Sequence, residues 1–106
     1  MRTIQFYVPN LRFINWRVVS RTYIELQLKR AQESYRETDN ALALLEERIK
    51  TLQAGIRTVW ETANANDMRE FERKYKEVRQ ENKRLAFVRL RLREAIDEML
   101  EHLEAK

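Results

Sequence analysis

An apolar seven-residue repeat runs through most of this chain, and few folds accept such a pattern. Leu28, Tyr35, Leu42, Ile49 and Ile56 stand seven apart. Ile24, Ala31, Thr38, Leu45, Leu52 and Val59 form a second series offset by three. These are the a and d positions of a heptad. A strict period of seven, rather than 3.6-residue drift, implies helices wound in a left-handed supercoil. After Thr-Ala-Asn-Ala-Asn at 62–66 a second heptad takes over. Met68, Tyr75, Asn82, Arg89, Ile96 and Leu103 take a, and Phe71, Val78, Leu85, Leu92 and Met99 take d. The small polar stretch 62–66 reads as a loop. Thr22 with Glu25, and Asp67 with Glu70, form capping signatures for two helices over about 22–61 and 67–105. Each would be roughly 39 residues, about 60 Å long. No internal repeat beyond the heptad is expected.

A loop this short turns the second helix back along the first. Ile56 then faces Phe71, Ile49 faces Val78, Leu42 faces Leu85, Tyr35 faces Leu92, and Leu28 faces Met99. Two layers are imperfect. Asn82 faces Leu45 at a cost in stability but with a gain in register, and Arg89 faces Thr38 and must carry its charge outward. On the flanks, Glu46 meets Arg79 and Arg48 meets Glu81, both opposite in sign. Gly55 falls at an outer helical position, where it costs about 1 kcal/mol relative to Ala. The expected fold is all-α: a long antiparallel two-helix coiled-coil hairpin (22–106) with an extended N-terminal arm (1–21). Composition agrees. One Gly, one Pro and no Cys in 106 residues argue against turn-rich sheet folds, disulfides, Cys-ligated zinc and thiol chemistry. No apolar run approaches the roughly 20 residues of a membrane span.

The charge is unevenly placed. The chain carries 21 Lys and Arg against 17 Asp and Glu, a net +4. Arg2, Arg12, Arg17 and Arg21 all precede the first acid, Glu25, so the whole excess lies in the arm. The first 24 residues also hold Phe6, Tyr7, Phe13, Trp16 and Tyr23. Interleaved basic and aromatic residues suit a phosphate backbone with exposed bases. The plainer reading is an apolar arm that docks on protein. Its low Ser content and many β-branched residues argue against a targeting segment. Residues 3–8 have strand-like composition but no strand to pair with, and 10–21 are ambiguous between helix and extended chain.

Far from the loop the g flank becomes small or apolar, at Ser34, Ala41, Val88 and Ala95. Phe87 and Leu90 fall on the outer face. With Val88 they suggest a second buried face, covered by a partner or by the arm itself. Phe6, Tyr7, Phe13, Trp16, Phe87, Val88 and Leu90 are therefore the candidate protein-docking residues. Arg2, Arg12, Arg17, Arg21 and Arg91 are the candidate nucleic-acid residues. The basic run around Arg91 is interrupted by Glu81 and Glu94, and it matters most if the arm runs beside it.

Little catalytic chemistry is present. His102, at the end of the second helix, has no partner spaced for general-base or metal work, and one Gly leaves no phosphate-cradling loop. No enzymatic activity, cofactor, metal or small-molecule substrate is expected. The expected role is a structural subunit docking into a larger assembly through its arm and loop-distal half. A ribonucleoprotein such as a ribosome, perhaps mitochondrial, is the first choice, with rRNA and other protein subunits as partners. The alternative is a protein–protein adaptor or self-associating coiled coil, homodimeric for example, in a secretion, viral or cytoskeletal assembly. The expected compartment is the cytoplasm or the mitochondrial matrix. The hairpin resembles prefoldin in its helical topology alone, and no client-binding role is carried over.

Overall fold

The computed structural model describes residues 6–62 and 65–106. It is all-α, with α1 over Arg21–Thr62 and α2 over Ala65–Glu104. The helices pack antiparallel, and residues 6–20 form an arm without helix or strand. Of the expected loop, Thr62 closes α1, Ala65 and Asn66 open α2, and 63 and 64 lie outside the described residues. So do Arg2 and residues 3–5 of the strand-like run.

Both helices begin earlier than their capping signatures suggest. Ser20, not Thr22, caps α1: its Oγ accepts the Tyr23 N–H at 3.1 Å. That satisfies one of the four amides a helix start leaves unpaired. Likewise α2 starts two residues before Asp67, which lies in its first turn.

The packing divides into two compact units, one of them Asn40–Ala86 and the other Ile4–Asp39 with Phe87–Lys106. In the first, here the turn unit, Ile49, Leu52 and Val78 form the core, lined by Leu45, Phe71 and Tyr75. Gln53 Nε2 donates to Tyr75 Oη at 3.3 Å across the helices, in the antiparallel register. One expected flank pairing, Glu46 with Arg79, does not form among the described residues. Arg84 of the same helix holds Glu81. Arg79 lies over the Tyr75 ring, 6.0 Å from its centroid, and Glu46 makes no ion pair among the described residues. Facing side chains on an exposed flank gain about 0–1 kcal/mol from pairing, so neighbours three or four residues away on one helix compete well for them.

In the second, the arm unit, Ile24, Leu28, Ala31, Leu92, Ala95 and Met99 form the core. Thr38 is fully buried, and its hydroxyl donates to the Ser34 carbonyl at 2.7 Å. That internal bond makes a polar seam residue tolerable. Arg89 carries its charge outward as expected, to Asp39 Oδ1 at 2.7 Å on the opposite helix. At the other end Arg21 donates to the Leu103 carbonyl at 3.4 Å.

Gly55 corrects the sequence reading. A Cβ built there would lie 2.6 Å from Phe71 Cε1 and 3.1 Å from Cδ1 and Cζ. The glycine is a seat for the Phe71 ring rather than a defect on an outer position. Helix propensity alone makes Gly55→Ala stabilising by about 1 kcal/mol. With the ring displaced, we expect Gly55→Ala to leave the urea midpoint unchanged or lower. Gly55→Ala combined with Phe71→Leu should recover part of the propensity gain relative to Phe71→Leu alone. A clear rise for Gly55→Ala by itself would show that the ring moves freely.

Candidate functional site

The arm lies on the flank that small side chains leave open. Ser34 and Ala95 sit outside the a/d seam, yet are only 6% and 7% exposed. Leu11, Trp16 and Val19 of the arm, with Val88, pack against the core of the same unit. Nearer the start of the described chain, the Tyr7 hydroxyl donates to Gln27 Oε1 on α1. The Arg30 guanidinium covers the Tyr7 ring, 4.1 Å from its centroid. Pro9 is buried, and Phe6 and Tyr7 are half-buried.

The arm contains a repeat of its own, which reading for heptads missed. Asn10-Leu-Arg-Phe-Ile14 is followed by Asn15-Trp-Arg-Val-Val19. The two copies share their asparagine bond, while their backbone turns close one position apart. Asn10 Oδ1 accepts the Arg12 N–H at 3.1 Å, and Asn15 Oδ1 accepts the Arg17 N–H at 3.2 Å. Ile14 N–H then reaches the Leu11 carbonyl at 3.4 Å, and Val18 N–H the Asn15 carbonyl at 3.2 Å. An asparagine side chain bonded to the backbone two residues on mimics a turn, which is why Asn serves at both starts. The alternation read as strand-like is therefore two successive turns.

Each turn sorts its side chains. The residue after Asn points inward, as Leu11 and Trp16. The next two point outward. Arg12 and Arg17 are exposed, Phe13 is 84% exposed and Val18 77%. The Arg12 guanidinium lies 5.5 Å from the Phe13 ring centroid. Neither Arg12 nor Arg17 forms an ion pair among the described residues. Arg21, by contrast, is paired with Glu25 at 2.9 Å.

The remaining candidates fall in different places. Arg91 shares a hollow with Val8 to Arg12, Ile14 and Trp16 of the arm, but it is paired with Glu94 at 3.2 Å. The arm does run beside the second helix, so arm and Arg91 border one surface. Val88 is half-buried under the arm-side core. The arm does not cover Phe87 and Leu90, which are 63% and 53% exposed. His102, read from the sequence as a helix-end residue without a chemical partner, stacks its ring on Trp16 with centroids 3.9 Å apart and planes 6° apart. The available signal was its g position, on the flank of Ala95.

Among the described residues no group of three acids, His or Cys is placed for a metal, and no helix is long and apolar enough to cross a membrane. The clear pKa shifts belong to ion pairs along α2, exposed at Glu70–Arg73 and half-buried at Glu81–Arg84. The Arg73 hydrogen bond, then its charge, holds the Glu70 carboxyl low, and Glu70 in turn raises Arg73. Arg84 is raised by its hydrogen bond to Glu81. Surface pairs produce such shifts without any catalytic role. No protein-family model, curated protein or solved structure matches the chain.

Trp16 is the largest anchor of the arm. Trp16→Ala is expected to cost about 2 kcal/mol of arm docking, below the ~3–5 kcal/mol of a fully buried aromatic. Tryptic cleavage after Arg12 and Arg17 should accelerate while far-UV helicity stays constant. Unchanged cleavage rates would show that another contact holds the arm.

Proposed function

We propose that this chain is a non-enzymatic structural subunit that attaches to a larger assembly through its arm unit. The tandem Asn turns carry this reading. Among the described residues Arg12 and Arg17 form no ion pair, and the turns set them beside the exposed Phe13 and Val18. Apolar side chains held in water beside unpaired guanidiniums are costly in isolation and favourable against a polyanion with stacking faces. A ribonucleoprotein, such as a cytoplasmic or mitochondrial ribosome, supplies both. Arginine neutralises phosphate, and Phe13 offers a platform for an unstacked base. Arg91 and Arg21 play a smaller part, because each already has an acidic neighbour.

A second reading rests on Phe87 and Leu90, whose exposure on α2 supports a protein neighbour. The two are compatible within one assembly. If only the protein contact exists, the chain is an adaptor or self-associating coiled coil.

Fluorescence anisotropy with labelled single-stranded RNA, from 50 to 300 mM KCl, tests the nucleic-acid reading. Affinity should fall steeply with salt, and the Arg12→Ala/Arg17→Ala pair should flatten the log–log slope by about 1.4. Phe13→Ala should weaken binding by roughly 1–3 kcal/mol without altering the slope. Binding no tighter than that of an acidic coiled coil at 50 mM salt would remove RNA from the proposal and leave the adaptor.

A further inference from the structure

The stacked pair that joins the arm to the end of α2 contains the one histidine of the sequence. Trp16 and His102 lie face to face, 3.9 Å between centroids and 6° from parallel. Trp16 sits inside the second Asn turn, and the amide of its neighbour Arg17 is the one Asn15 holds. The orientation of the outward Arg17–Val18 pair is thus tied to the seat of Trp16. His102 lies in the last turn of α2, where the negative end of the helix dipole favours a cation.

We propose that the Trp16–His102 stack is a protonation-sensitive latch that holds the arm more tightly when His102 is an imidazolium. A cation over an indole face gains an attraction that a neutral ring lacks. Histidine is the side chain that makes this change between about pH 5 and 8.

The surrounding charges act in both directions. Arg17 from the arm and Lys106 beyond α2 line the same hollow as His102 and oppose its protonation. Arg21 of α1, bonded to the Leu103 carbonyl, also opposes it, but its charge is offset by Glu25. Glu98 and Glu101 on α2, one turn and one residue before His102, favour it. The ionic neighbours are exposed and screened by salt, with a Debye length of about 8 Å at physiological ionic strength. The indole contact is direct, and it decides the sign. The latch closes below the histidine transition and loosens as pH rises through it.

Amide exchange on the full chain tests this, read as protection factors for residues 10–19 at pH 5.5 and pH 8 so that intrinsic pH dependence cancels. Protection should be on the order of three- to fivefold higher at pH 5.5. His102→Gln keeps a planar polar group without a titrating ring and should make the ratio close to one. Trp16→Leu keeps an apolar anchor without a π face and should do the same from the other side. The Trp16 indole N–H resonance should follow the same transition in the wild type and lose it in His102→Gln. Equal protection at both pH values, greater protection at pH 8, or a ratio that survives His102→Gln would each overturn the latch.

Discussion

Small side chains on one flank of the seam determine where everything else in the arm unit can lie. Ser34 and Ala95 occupy positions that a two-stranded coil normally gives to charged residues, and both are buried. Their size lets Leu11, Trp16 and Val19 approach the core. A long charged side chain at either place would fill the space the arm uses and would have to be desolvated there. In the turn unit the same flank carries Lys74, Arg48 and Glu81, with Ala41 and Gly55 as its small members. There the opening is taken from within the hairpin, by Phe71.

The seam was legible in the sequence because its signal repeats. Ile24, Leu28, Ala31, Thr38, Leu42, Ile49, Leu52, Val78, Leu85, Leu92 and Met99 are all buried, and all hold a or d positions. Many weak cues in phase outweigh isolated exceptions, so Thr38 was absorbed into the pattern. The helix start was less legible. Thr22 and Ser20 are both competent caps, and the choice turned on where the arm delivers the chain. Gly55 was misread because its value lies in a contact with a residue on the other helix, which composition along one helix does not reveal.

The arm was the least legible part. Its repeat occurs only twice and has a period of five, which is neither 2 nor 3.6. Leu, Phe, Trp and Val at near-alternate places imitate a strand until the Asn side chains are seen closing turns. The stack between Trp16 and His102 joins residues at opposite ends of the chain and leaves no local trace. The outer face at Phe87 and Leu90 was open to cover by a partner or by the arm, and the described part of the arm does not take it. That part lies instead where the backbone can approach closely, and the larger side chains remain in solvent.

The tandem turns also make the arm modular. Each five-residue block begins with its own hydrogen-bonded asparagine and sends one side chain into the protein and two away from it. Loss or duplication of a whole block would therefore change the reach of the arm and keep that inward–outward order, whereas a change of any other length would break it.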